Sequence, residues 1–440
     1  MRNESDNKHI KDNEYGITEI PDDIPRKRTG ERKRQFARFL KRLSDKRSKS
    51  GSRIRLTPVS GGIIVVLVLL VVFIAADLST GGVLSAFNGR VASVLSRRSS
   101  ERFSVSTDAG TVYDFEAFDN GYAILTENGI SYVSSSGKIS AKQQLSYSSP
   151  SMEIMKERVI LYDRGRSSYS LQRNKSMYAQ QAVEQDIIDA AVSAGNNYAV
   201  AVRDEKAKSI LYGMDEKGKI IYQWNCPEGY ITDVAITRSG GKAVVSVIDS
   251  ENAVLSSKLY ILDFEYDSAY AEFTYSDETV LGTRFLSGRK VQVITDKCVY
   301  LISGREQTVV YEYGASDICY SDIGIGKYTA VITTDYSQDD TYSLVIFGKG
   351  GKLKSITTLS GKVRGLSASA KSVAVLFTDK IETYSRRGKL VGAVGDLNHY
   401  EDIVLNGNYV YVLSSDSVKK YPAYGSISAA KEIEDEPLSQ

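Results

Sequence analysis

Asp114, Glu153, Asp189, Asp233, Asp322 and Asp402 each stand just before a β-forming run that recurs along the chain. Arg284 and Gly365 hold the matching place in two further copies. If the copies close into a ring, six carboxylates meet at one mouth. Such a mouth suits a cation, a sugar or a basic peptide, and Arg284 with Arg364 would serve an anion there. The plainer role for each carboxylate is to accept the backbone N–H groups of its own turn. A matched pair of carboxylates, which can come from anywhere in the ring, would also meet the needs of glycoside hydrolysis.

Other chemistries have little material. The chain holds two histidines, His9 and His399. A Ser-His-Asp triad would have to use His399, in Asp396-Leu-Asn-His-Tyr-Glu-Asp402, and no Gly-x-Ser-x-Gly elbow sits in a strand-to-helix context beside it. Histidine-based zinc sites need more histidines than this. Cys226, Cys298 and Cys319 are odd in number, far apart and without CxxC spacing, so they read as free, mostly buried thiols. Asp335-Tyr-Ser-Gln-Asp-Asp340 clusters carboxylates without the spacing of a calcium loop and reads as a solvated hairpin tip. The expectation is no metal, no cofactor and no assigned catalytic residue.

The elements that must position these residues are strands. Tyr122-Ala-Ile-Leu-Thr, Val159-Ile-Leu-Tyr, Tyr198-Ala-Val-Ala-Val, Ala243-Val-Val-Ser-Val, Val291-Gln-Val-Ile, Tyr328-Thr-Ala-Val-Ile, Val373-Ala-Val-Leu-Phe and Tyr409-Val-Tyr-Val-Leu begin 37, 39, 45, 48, 37, 45 and 36 residues apart. A second β-type run follows each within a few residues. Gly137-Lys, Gly218-Lys, Gly351-Lys and Gly388-Lys mark hairpin turns, where glycine supplies a positive φ. The chain has 29 tyrosines and 7 prolines, which favours long hydrogen-bonded ladders. Repeats of this length made of hairpins predict an all-β, eight-bladed propeller of four-stranded antiparallel blades over residues 101–440, or seven blades if one hairpin is an insertion. Arg102-Phe-Ser-Val-Ser-Thr107 is a candidate closing strand, and Lys431–Gln440 reads as a frayed acidic tail.

Ile210-Leu-Tyr-Gly-Met-Asp-Glu-Lys-Gly-Lys-Ile-Ile-Tyr-Gln-Trp224 resembles the repeat of quinoprotein-like propellers, and the copies at 351 and 388 match more loosely. With its basic tail, apolar segment and eight degenerate repeats, the whole chain resembles an uncharacterised family of bacterial membrane-anchored propellers of this PQQ-like type, a domain of unknown function. The resemblance implies the fold and not an activity. Pyrroloquinoline quinone enzymes of that superfamily carry many Trp-bearing blades, a ring-stacking Trp and often a vicinal disulfide. This chain has one Trp and no adjacent cysteines, so no quinone cofactor is expected.

A membrane segment precedes the repeats. Residues 59–78 carry one charge, Asp77, and twenty residues of helix span roughly 30 Å, the hydrocarbon thickness. Residues 26–55 hold fourteen Lys/Arg and two acids, whereas the far flank, Asp77 to Asn88, has no basic residue. The positive-inside rule then puts the N-terminus in the cytoplasm and the repeats outside. About 57 residues lie ahead of the apolar run, too many for the n-region of a cleaved signal, so it reads as an uncleaved single-pass signal anchor. Within the basic tail, residues 1–57, Phe36, Phe39, Leu40 and Leu43 fall on one face of a possible helix 31–43, with Arg34 and Arg38 on others. That pattern suits an anionic lipid surface rather than nucleic acid. Residues 79–100 read as a linker.

These readings favour a protein-interaction scaffold or binding module at the cell envelope, with membrane lipid and an envelope protein as partners. The alternatives are a carboxylate-dependent carbohydrate-active enzyme and a transmembrane sensor signalling through its basic tail.

Overall fold

In the computed structural model the described residues are 103–428, apart from 108–109, 252–253, 325, 336–340 and 398. The chain divides into two units, Met1–Gly81 and Gly82–Gln440, and the described residues all belong to the second. The expected membrane span 59–78, the surface helix with Phe36, Phe39, Leu40, Leu43, Arg34 and Arg38, the linker, the acidic tail and most of the Asp335–Asp340 cluster lie outside them. Among the described residues, no helix is long and apolar enough to cross a membrane.

The described residues form strands β1–β33 in chain order, arranged as eight sheets, each built on an antiparallel run of consecutive strands. The innermost strands, one per blade, are β2 (Val112–Phe118), β6 (Pro150–Met155), β10 (Ile187–Val192), β14 (Tyr230–Ile236), β18 (Val280–Ser287), β22 (Asp317–Asp322), β26 (Val363–Ala368) and β30 (Asp402–Asn406). Blades 1 to 8 take their numbers in this order.

Second strands explain why the repeat is legible. β3 (Gly121–Thr126), β7 (Arg158–Asp163) and β27 (Ser372–Phe377) are buried at every residue, because neighbouring blades cover both faces. They therefore read as continuous apolar runs rather than alternating ones. The core is a series of inter-blade layers. Ala201 and Leu211 of blade 3 pack with Val245 and Tyr260 of blade 4, and the one tryptophan, Trp224, lies 5.0 Å from the Tyr260 ring in that layer. Some tyrosine hydroxyls pair within these layers: Tyr169 and Tyr198 meet at 2.9 Å and share Gln181, whereas those of Tyr122 and Tyr222 are buried without a partner.

The turn after β12 (Lys208–Met214) shows why Gly-Lys marks a hairpin. Gly218 has φ +83°, and the Asp215 carboxylate accepts the N–H groups of Lys217 and Lys219, each at 2.9 Å. A Cβ at Gly218 would also meet the Gln181 amide at 2.1 Å.

Ring closure follows the expected route at the N-terminal strand. β1 (Ser104–Ser106) pairs with β32 (Ser417–Pro422) and so completes the last blade. A second device was not anticipated. β33 (Gly425–Ser428) adds in parallel to β29 (Leu390–Gly395) and makes blade 7 five-stranded. Gly392 permits this, since a Cβ there would sit 2.3 Å from the Ala423 carbonyl oxygen. The three cysteines are free thiols, Cys226 buried and Cys298 and Cys319 half-buried.

Candidate functional site: the central channel

The innermost strands carry the site residues. Asp114 is on β2, Glu153 on β6, Asp189 on β10, Asp233 on β14, Arg284 on β18, Asp322 on β22, Gly365 on β26 and Asp402 on β30. This corrects the expectation that they precede the inner strands. The apolar runs that mark the repeat are second strands, and the true inner strands are masked in sequence by the polar residues they turn to the channel.

The register also separates residues that the sequence spacing aligns. β-bulges place Asp114, Asp189, Asp233 and Gly365 immediately after the irregularity of their strands, together with Gly282 and Tyr320. Arg284 and Asp322 come two residues later. A step of two keeps a side chain on the same face of a strand but moves it along the axis. The same step from Asp114 reaches Glu116, which sequence reasoning missed although its period marks it.

Three carboxylates join neighbouring blades. Asp189 accepts the Val234 N–H at 2.8 Å and the Tyr162 hydroxyl at 2.7 Å. Asp233 accepts both the N–H and the hydroxyl of Thr283, at 3.0 and 2.5 Å. Asp322 accepts the Ala368 N–H at 2.6 Å. Asp114 and Asp402 instead bond locally, to Phe115 N–H at 2.8 Å and Ile403 N–H at 2.7 Å. Local turn bonding thus describes two of these five.

Glu153 and Arg284 form an ion pair at 2.8 Å, from blade 2 to blade 5. These blades are three apart in the ring, so the pair crosses the channel. Arg164 leans on Asp189 at 3.8 Å, more than half exposed. Arg364 is exposed at the start of β26 and takes no part. His399 is exposed in the loop before β30, with φ +64°.

Burial dominates the electrostatics. It pushes the Asp114 carboxyl up to about 8, with Glu116, Glu153 and Asp402 adding to the rise against the Phe115 N–H. Burial also raises Glu116, Asp189 and Asp233, and takes Asp402 to about 6. The Glu153 charge holds the Arg284 guanidinium above its ordinary range. For Lys327, in the turn after β22, burial pulls the ammonium down, but Asp322 and Glu116 outweigh it and leave it raised. Lys327 carries no sequence signal, because only closure of the ring brings its turn to the channel.

The channel therefore combines a salt-bridged carboxylate, a cation and an acid that keeps its proton at neutral pH. Among the described residues, no group of His, Cys, Asp and Glu side chains has the geometry to hold a metal ion.

Comparison with known proteins agrees on the fold. Residues 94–421 match the profile of a family described as a family of unknown function, DUF5711. No curated protein matches the chain. The C-terminal WD40 domain of Sif2 is similar over 73% of this chain and 99% of that one, at 11% identity and a TM-score of 0.51. BamB from Moraxella catarrhalis covers 73% of this chain and 96% of its own, at 13% identity and a TM-score of 0.47. Apo AztD from Citrobacter koseri covers 71% and 90%, at 11% identity and a TM-score of 0.49. At 11% identity the likeness to the Sif2 domain speaks for the fold alone.

Proposed function

The chain belongs to the DUF5711 family, and from that premise we propose that it is a membrane-anchored, extracytoplasmic propeller serving as a protein-binding module at the cell envelope. One observation carries the binding role: the end of the ring where the innermost strands begin exposes large apolar side chains. Tyr113, Tyr230 and Leu281 are 43%, 49% and 49% exposed at the starts of β2, β14 and β18. Leu255, 47% exposed, stands near the tip of the long hairpin of β15 (Lys242–Glu251) and β16 (Val254–Asp263). That hairpin runs past Tyr230, where its pairing with β14 stops. Exposed aromatic and aliphatic side chains gathered at one end of a fold suit a protein partner. The channel carboxylates are largely engaged in joining blades, which leaves this rim as the free recognition surface.

The anchor and the orientation rest on the apolar run 59–78 and the basic residues before it. The test has two arms. A photo-crosslinking side chain at Tyr230 or Leu281 should capture a defined protein in intact cells, and one at Ile139, on an outermost strand, should not. Equal capture at all three positions defeats the rim as the binding surface. Protease added to whole cells, with any wall removed, should digest the chain beyond residue 78; its survival beside digested controls defeats the topology.

A second reading has one observation in its favour. Asp114, holding its proton up to about 8, shares the channel with the salt-bridged Glu153, and a site that gives a pair of acids different protonation states is typical of glycosidases. Release of reducing sugar from oligosaccharides, abolished by Asp114→Asn, would establish it.

A further inference from the structure

Arg158 opens β7 with 1% of its surface exposed, and its Nε and Nη1 donors have no partner. Its Nη2 donates to the Tyr178 hydroxyl at 2.7 Å and to the Asn196 carbonyl at 3.3 Å. Neither partner is anionic. An arginine cannot shed its proton, and a buried charge without a counter-charge is strongly unfavourable.

A second cation worsens the imbalance. Arg158 sits directly opposite Arg173 in the pairing of β7 with β8 (Ser168–Arg173), a placement that like charges disfavour. Arg173 donates to Asn196 Oδ1 at 3.2 Å and forms an exposed ion pair with Glu216 Oε2 at 3.5 Å, which solvent screens. The Tyr178 ring, 42% exposed on the outermost strand of blade 2, lies 6.0 Å from one guanidinium and 5.5 Å from the other. Beside them lies a groove of about 470 Å³ lined by Lys156 and Lys175 and also by Asp119 and Glu157, with Lys175 paired to Asp119 at 3.1 Å.

We propose that Arg158 and Arg173, with Asn196, form an oxyanion site between blades 2 and 3 that takes a phosphate or carboxylate group, with Tyr178 as its displaceable cover. Both sources share one chemistry: two planar forks of N–H donors converging on paired oxygens. An oxyanion would supply the missing acceptors for Nε and Nη1 and separate the opposed charges. The site lies at the end of the ring away from the apolar rim, since Arg158 and Asn196 adjoin the turns that follow the innermost strands β6 and β10, and Arg173 pairs with Arg158.

Thermal unfolding of the full chain, titrated with inorganic phosphate, acetate or chloride at matched ionic strength, tests this. Phosphate or acetate should raise the midpoint saturably and chloride should not; the stronger of the two identifies the source. Arg158→Met should lose that response and unfold higher than the parent in anion-free buffer, because its uncompensated charge is gone. Arg173→Met, on a more exposed residue, should weaken the apparent affinity by about tenfold, the worth of one charge-assisted hydrogen bond. Equal midpoints in all three salts, or an undiminished response in Arg158→Met and Arg173→Met, would show an arginine solvated by buried water only and overturn the site.

Discussion

Arg284 on blade 5 donates across the channel to Glu153 on blade 2 at 2.8 Å, so the ring is braced through its centre as well as around its circumference. The two side chains keep about a fifth and a quarter of their surface exposed. Their coupling is therefore weaker than that of a dry pair and stronger than that of a surface one.

Removing one partner strands the other charge. Arg284→Met should cost about 1–3 kcal/mol, and Glu153→Met a similar amount. The double variant should recover most of the loss, since no lone charge remains. Denaturant midpoints of the three variants measure the coupling; additive losses in the double variant refute a direct brace.

Asp233 joins blades 4 and 5 through two bonds to Thr283, whereas Asp114 bonds only its own neighbour. Asp233→Ala leaves the Thr283 N–H without its acceptor, at about 1–3 kcal/mol. Asp233→Asn keeps an acceptor oxygen and should cost less. Amide exchange at Thr283 should quicken in the alanine variant. Unchanged protection there means the bond does not hold the blades together.

The acidic channel predicts an unusual pH dependence. Asp114 is pushed from 3.8 up to about 8, and Asp402 up to about 6. A carboxyl with a higher pKa folded than unfolded binds its proton more tightly in the folded state. Its stabilisation is complete below 3.8 and is lost as pH rises through the folded value. Burial pushes Asp114 this way first of all, and Glu116, Glu153 and Asp402 add to it. Lys327, raised above 10.5, acts only at higher pH, and Asp204, Asp277 and Asp416, lowered from 3.8, act only below it. Unfolding midpoints should therefore rise on acidification from about pH 8 to about pH 5, by less than about 1.4 kcal/mol per unit for one proton. Asp114→Asn should flatten the slope. A midpoint that climbs with pH over this range contradicts the placement of Asp114.

The fifth strand of blade 7 depends on Gly392. Gly392→Ala forces a Cβ against the Ala423 carbonyl and should loosen β33, at about 1–3 kcal/mol. Limited proteolysis should then cut between Ala423 and Ser428 faster than in the parent. Equal cleavage rates mean that the close approach does not secure the strand.

The eight second strands announced themselves in sequence because each is buried on both faces, so its apolar run depends on local composition alone. The Gly-Lys turns were equally plain, since a positive φ at Gly218 is a property of that residue and its immediate neighbours. Asp189 and Asp233 were visible as recurring carboxylates, but not their partners, Val234 and Thr283, which belong to the next repeat.

What the sequence determined by itself is the repeated hairpin and the candidates for the inner face, because these follow from spacing along one strand; that the blades number eight rather than seven was decided by the fold. The meeting of Glu153 with Arg284, the arrival of Lys327 in the channel, the bulges that offset Asp114 from Arg284, and the isolation of Arg158 were decided by the closed ring. The first two depend on distances between blades far apart in the chain, the others on strand pairing and on packing between adjacent blades. Those distances exist only once the eighth blade has met the first.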